Sequence, residues 1–402
     1  MRAKHTPHTL EAFPIYSCAF VSSQDVVLGG GGGQSRSGIK NKLRLYHVES
    51  DKVINLVDEL ELEKGEDAPM SMAAHPETSQ LVCGINSSEE HLKQQGDNQN
   101  CRLYGVKDGK ITVADTRSTL TLTPGVDDFQ KITTISPDGT HVVAAGARDL
   151  SLLRYPSLDA AALPVHLPKG EFFDAVFSPS SLVVATTINL LVYALPPKLD
   201  SIEKMGEKRA GKQKEIPLSE LELVKTVERP TIPGKYAGSS FRSLRLHPKN
   251  SKVLYTVINT VPQRTRTKSS PRHSYLCKWN TDTWEVSKIR KVSDRALTCI
   301  DVSPDGKLLA FGSSDYTVGI LDAHTLAPVV TILKAHEFPP TTLRFNPTSN
   351  LLISGSADNT IRVVTVPEYV PDNSWSSWLI VAITLLILLF AFIAQQMHQG
   401  YS

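Results

Sequence analysis

Residues 297–322, LTCIDVSPDGKLLAFGSSDYTVGILD, and 341–366, TTLRFNPTSNLLISGSADNTIRVVTV, follow one plan. An apolar run leads to Ser-Pro or Asn-Pro and a turn. A second apolar run follows, and a small-residue turn carrying Asp315 or Asp358 leads to a third. Apolar runs of four to eight residues bounded by Pro, Gly, Asn and Asp read as strands joined by tight turns.

Working outward, the same plan starts again at Met70, Ile132, Phe172 and Phe241, and more loosely at Pro14, where the proline turn is missing. Seven units over about 370 residues match the repeat length of WD-type β-propeller blades, with room for insertions. The expected fold is therefore all-β, a seven-bladed WD-like propeller filling residues 1–374. Asp315, Asp358 and His336, which follows Ala335, read as structural groups that fix turns and hydrogen-bond across strands. The segment before Pro14, LEAF included, is available to complete the last blade but carries too weak a pattern to assign.

Three stretches interrupt the repeat. Residues 197–235 and 259–273 are polar and basic, and read as exposed loops. Near a membrane they would suit anionic headgroups or an acidic partner. Residues 86–100 (NSSEEHLKQQGDNQN) read as a third polar loop with no assignable chemistry.

The C-terminus is of another kind. From Trp375 to Ala394 the sequence is WSSWLIVAITLLILLFAFIA, and no Asp, Glu, Lys or Arg occurs from Asn373 to Ser402. A helix of about 20 such residues, rising ~1.5 Å each, spans the ~30 Å hydrocarbon core. Residues 375–394 are thus the expected transmembrane helix and 395–402 a short far-side tail. The start, MRAKHTPHTLEAFPIYS, lacks the apolar core of a signal peptide. The expected topology is a large cytosolic N-terminal domain held by a C-terminal anchor.

Among 402 residues, 43 basic side chains face 41 acidic ones, a net charge of +2 that points to no nucleic-acid partner. The five cysteines are far apart, without C-x-x-C spacing, and read as buried reduced thiols. No G-x-S-x-G or H-E-x-x-H occurs, and His5 and His8 lie in a segment that reads as loose. A propeller without paired titratable groups is a binding platform rather than an enzyme.

One stretch does not fit a plain blade: residues 28–43, LGGGGGQSRSGIKNKL, between the second and third strands of the first unit. It is not a P-loop. Gly33 and Gly38 have the spacing, but Ile39 follows, Lys40 is one place late, and Asn41 replaces the hydroxyl. The dinucleotide pattern G-x-G-x-x-G fails in every register, with Gln34, Ser35 or Arg36 in the last place. A glycine run is costly to order, so something must hold this loop, and its bare backbone suits close approach to an ion or a partner.

The pattern GGGG-x4-GI-x-N at residues 30–41, set in the first blade of a WD-like propeller with one C-terminal span, resembles the Sec-twelve/prolactin-regulatory-element-binding family. The resemblance covers the whole chain in architecture and is most specific at residues 29–41. It implies a guanine-nucleotide exchange factor at the endoplasmic reticulum membrane, acting on the Sar-type small GTPase that starts COPII assembly. It implies that Asn41 is central to exchange, with Gly38 and Ile39 presenting it. It also implies a potassium ion held by backbone oxygens of the loop, Gly30, Gly31, Gly32 and Gly33. The alternative is a membrane-tethered adaptor without exchange activity.

Overall fold

The structure is a computed structural model, and it describes residues 4–34, 37–120, 128–196, 218–263, 272–368 and 381–391. The chain divides into two units, Met1–Val366 and Pro367–Ser402.

The first unit holds seven four-stranded antiparallel sheets, as the repeat count implied. Strand β1 (His5–Thr9) precedes blade 1, which is built from β2 (Ile15–Phe20), β3 (Asp25–Gly30), β4 (Lys42–Val48) and β5 (Ile54–Glu61). Blade 2 is β6 (Ser71–Ala74), β7 (Gln80–Gly84), β8 (Cys101–Lys107) and β9 (Lys110–Arg117), with a short helix α1 (Glu89–Gln95) between β7 and β8. Blades 3 to 7 follow with strands between residues 132 and 166, 172 and 228, 238 and 293, 297 and 332, and 340 and 365.

The ring closes through β1. It pairs antiparallel with the strand Thr360–Thr365, so the first strand of the chain is the outer edge of the last blade. His8 sits in that edge, its Nε2 2.8 Å from the Lys52 carbonyl, so the segment read as loose is ordered. Across the closing seam, Ile15, Val26 and Leu28 of blade 1 pack in one cluster with Leu351, Ile353, Ile361 and Val363 of blade 7. Each such side chain contributes about 1.5–3 kcal/mol on full burial, so the closure is apolar as well as hydrogen-bonded. On the inner strands of blades 4 to 6 the Arg245 guanidinium lies between Asp174 (2.8 Å) and Asp301 (3.4 Å).

Three loop readings need correction. Residues 259–261 of the stretch 259–273 end the strand Val253–Val261 of blade 5, with Thr260 buried, because they continue its backbone pairing. Within 197–235, residues Leu223–Glu228 form the outer strand of blade 4, paired with Asn189–Ala194. They read as loop because an outer strand has little to bury: only Val227 of the six is inside. Within 86–100, α1 begins on Ser88, whose hydroxyl accepts the His91 amide, carries Glu89 and Glu90 in its first turn, and ends on left-handed Gly96. That is a capped helix on all three counts. Residues 197–217 and 264–271 of the two basic insertions lie outside the described residues.

In the second unit, residues 381–391 are helical. Among the described residues no helix is long and apolar enough to cross a membrane. The rest of the expected span, 375–380 and 392–394, and the tail 395–402 lie outside the described residues.

The five cysteines are all free, and four are buried. Burial pushes the thiol of Cys18 up to about 11 and those of Cys101 and Cys277 up to about 12, which keeps them protonated and unreactive.

Candidate functional site

In an antiparallel meander, the connection from second to third strand and the crossover to the next blade emerge on the same face. In blades 1 and 2 that face carries the glycine hairpin, residues 31–41, the crossover 62–70 and the α1 segment. The crossover is tied to the α1 segment by the Asp67 amide, which donates to the Asn86 carbonyl at 3.0 Å.

The hairpin grows from the end of β3. A side chain on Gly30 would stand 2.3 Å from the Pro14 carbonyl, so only glycine lets the strand approach the preceding crossover. At Gly31 the backbone turns, with φ +139°, and a Cβ would come within 2.3 Å of the Asn41 side-chain oxygen. From there the hairpin is ordered by Asn41. Its Oδ1 accepts the Gly33 amide at 2.9 Å, and its Nδ2 donates to the Gly33 carbonyl at 3.0 Å. The same Nδ2 donates to the Glu66 carbonyl at 2.7 Å. The Asn41 carbonyl accepts the Leu62 amide at 2.9 Å. One side chain therefore closes a two-bond clamp on Gly33 and fastens it to the crossover.

Asn41 is consequently buried, 9 % exposed, with both ends of its amide engaged inside the protein. Gln34, Ser37, Gly38 and Lys40 are exposed and Ile39 is half-buried. Residues 35–36 lie outside the described residues. Of the residues singled out by the sequence, Gly38 and Ile39 thus form the tip and Asn41 the root. Gly33 and Gly38 are left-handed, with φ +65° and +77°.

Beside the clamp lies Asp67, which the sequence reading did not single out. Its carboxylate accepts the Ala68 amide at 2.7 Å and the Gln34 amide from the hairpin. A Cβ on Gly33 would sit 3.3 Å from its Oδ1. Burial pushes the Asp67 carboxyl above its ordinary range, partly opposed by those two amides. A desolvated carboxylate against the glycine turn, whose only other donors are backbone carbonyls, offers oxygen ligands, which fit a hard cation and not a soft one. The Gly33 carbonyl keeps a second lone pair after serving Asn41. Among the described residues no group of three or more His, Cys, Asp or Glu side chains could hold a metal, so backbone oxygens would supply most ligands.

The residues expected to be structural are so. His336 lies between Thr360 Oγ1 and Ser354 Oγ, each at 2.8 Å, and Asp358 accepts the Glu337 and Thr360 amides at 2.6 and 2.9 Å. Two clefts, of 280 and 670 Å³, lie at the seam of blades 7 and 1, and none of their lining residues belongs to the hairpin.

Comparison with known proteins agrees with this architecture. The WD domain, G-beta repeat model matches residues 287–322 and 327–364. The chain is 23% identical over 411 residues to the guanine nucleotide-exchange factor SEC12 of Candida glabrata, covering 98% of this chain and 80% of that protein. It is 23% identical to SEC12-like protein 2 of Arabidopsis thaliana, covering 83% of this chain and 74% of the relative. It is also 23% identical to the putative guanine nucleotide-exchange factor SED4 of Saccharomyces cerevisiae, over 88% of this chain but 30% of that protein. In its seven blades and along nearly its whole length, the chain is similar to these proteins named SEC12 and SEC12-like.

Proposed function

We propose that the chain is a guanine-nucleotide exchange factor for the Sar-type small GTPase, acting at the endoplasmic reticulum membrane to start COPII assembly. The observation that carries the reading is the clamped hairpin: a glycine loop whose tip is exposed and whose root is held by three hydrogen bonds from Asn41. Its relatives are named as exchange factors. The apolar run 375–394 is the proposed membrane anchor, with the C-terminus in the lumen.

An exchange factor does no covalent chemistry. It binds the nucleotide-free GTPase more tightly than the loaded one, and that difference in affinity drives release. A loose loop would lose much of the difference to its own ordering. Asn41 supplies the order in advance. It holds Gly33, and through the hairpin it presents Gly38, Ile39 and Lys40 to the GTPase. Ile39 offers apolar contact, and the exposed glycine Gly38 allows close backbone approach. In this reading Asn41 acts through the hairpin it holds.

A potassium ion fits the same place. Backbone oxygens of Gly30–Gly33 and the carboxylate of Asp67 would hold it. When bound it would supply a positive charge to Asp67, for which the described residues provide no ion pair, and stiffen the turn.

The test is GDP release from the Sar-type GTPase, followed by fluorescence, with the full chain in detergent as catalyst. Acceleration by substoichiometric chain supports the reading. Binding of the GTPase without faster release would make the chain an adaptor instead. Exchanging potassium for sodium should slow the acceleration, and an unchanged rate would remove the ion from the account.

A further inference from the structure

The crossover that receives Asn41 is itself held from the neighbouring blade. Glu66 Oε1 lies 2.5 Å from Arg102 Nη2, and both side chains are about nine-tenths buried. Glu66 Oε2 accepts the Glu63 amide at 2.9 Å, and the Arg102 Nε donates to the Gln99 carbonyl at 3.0 Å. Arg102 lies near the start of β8, the strand that follows α1 in blade 2. The backbone carbonyl of the same Glu66 accepts Asn41 Nδ2. A continuous chain of polar contacts therefore runs from blade 2 to the hairpin: Gln99, Arg102, Glu66, Asn41, Gly33.

A buried ion pair is a poor device for stability, because desolvating both charges offsets most of their attraction, and apolar residues of like volume hold a core as well or better. What it adds is direction. The planar guanidinium fixes where the carboxylate sits, and a short turn fixes the Glu66 carbonyl relative to its own side chain. We infer that the Glu66–Arg102 pair is a positioning device for nucleotide exchange: blade 2, through Arg102, sets the place of the carbonyl that holds Asn41, and so sets the shape of the hairpin. This inference rests on the exchange reading for its consequence and on the contacts alone for its structural half.

The two halves separate in experiment. Hydrogen–deuterium exchange on the full chain in detergent reads the amides of Gly33 and Leu62, both of which donate to Asn41. Arg102→Met should speed their exchange about tenfold while strand 181–186 of blade 4 stays protected. In the GDP-release assay the hairpin is then competent only part of the time. The GTPase concentration for half-maximal stimulation should rise about fivefold to tenfold with the maximal rate kept. Simple loss of folded protein would instead lower the maximal rate and leave that concentration unchanged. Glu66→Gln, which keeps an oxygen for the guanidinium, should fall between wild type and Arg102→Met. Arg102→Met leaves Glu66 charged and unpaired and can fail to fold, so the double variant Glu66→Leu/Arg102→Met carries the same test without a stranded charge. A double variant that folds, keeps Gly33 and Leu62 protected and keeps the wild-type half-maximal concentration overturns the inference. Should wild type itself release no GDP, the exchange reading fails, and the amide measurement still decides whether blade 2 holds the hairpin.

Discussion

The hairpin of blade 1 and the corresponding turn of blade 7 occupy the same place in the repeat, between the second and third strands, and are ordered in opposite ways. The blade 7 turn, residues 357–359, is short. Asp358 accepts the Thr360 amide and hydroxyl and the Glu337 amide, with His336 behind it between Ser354 and Thr360. Several side chains share the task, and the turn is joined to the core of its blade. The blade 1 hairpin, residues 31–41, is longer and rich in glycine. Among the described residues, the Asn41 amide closes its root on Gly33 and Glu66, and the Asp67 carboxylate accepts the Gln34 amide beside it. The difference teaches where function can sit. A turn held by many groups serves the blade. A loop held at its root is free to present its tip.

The largest effect that would sharpen this contrast is on pH stability in blade 7. Burial pushes the His336 imidazole down to about 4, partly opposed by Asp358. The folded state therefore binds this proton more weakly than the unfolded state does. Stability is full above the ordinary histidine range and falls as pH drops from about 6.5 towards 4, by about 3 kcal/mol in all. Denaturant unfolding between pH 7.5 and 4 should show the fall, and His336→Gln should flatten it. An equal slope in that variant would remove His336 from the account.

The next effect concerns the hairpin. Gly31→Ala places a methyl against the Asn41 amide at a left-handed backbone angle, a local strain of about 1–3 kcal/mol. GDP release should slow about tenfold or more, while thermal unfolding shifts by no more than a few degrees. A large fall in unfolding temperature with unchanged exchange would reverse the comparison, making the hairpin structural.

The smallest effect is at Asp67. Burial raises its carboxyl, so the folded state holds that proton more tightly than the unfolded state, and the ionised form near pH 7 is destabilising. Asp67→Asn keeps one accepting oxygen, for the Ala68 amide, and removes the charge. In sodium the variant should melt about 1–2 °C higher than wild type. The gain of wild type in potassium over sodium should disappear. A variant that still gains from potassium would place the ion elsewhere.

Much of this was legible in the chain itself. Inner strands such as Leu308–Ser313 and Leu351–Ser356 are buried at every position and announce themselves as apolar runs. Outer strands do not. The edge strand His5–Thr9 has no buried residue and Leu223–Glu228 has one, so both are held by backbone pairing that leaves little apolar pattern. The glycine hairpin was plain as an anomaly, and Asn41 stood out through its motif. The clamp was not legible. Glu66 lies 25 residues beyond Asn41, and Arg102 belongs to another blade. Asp67 is one acidic residue among many until the fold sets it against Gly33. Contacts between blades depend on the closed ring, and no local spacing records them.

In the proposed mechanism the hairpin held by Asn41 opens the GTPase. The most direct measurement is GDP release with wild type, Asn41→Ala and Asn41→Asp side by side. Alanine removes the whole clamp. Aspartate keeps an acceptor for the Gly33 amide but sets a charged oxygen against the Gly33 and Glu66 carbonyls that Nδ2 now serves. Both variants should fold, because the lost bonds, worth about 0.5–1.5 kcal/mol each, lie in one loop. Both should lose stimulation about a hundredfold, with aspartate no better than alanine. Wild-type stimulation by either folded variant would contradict the account.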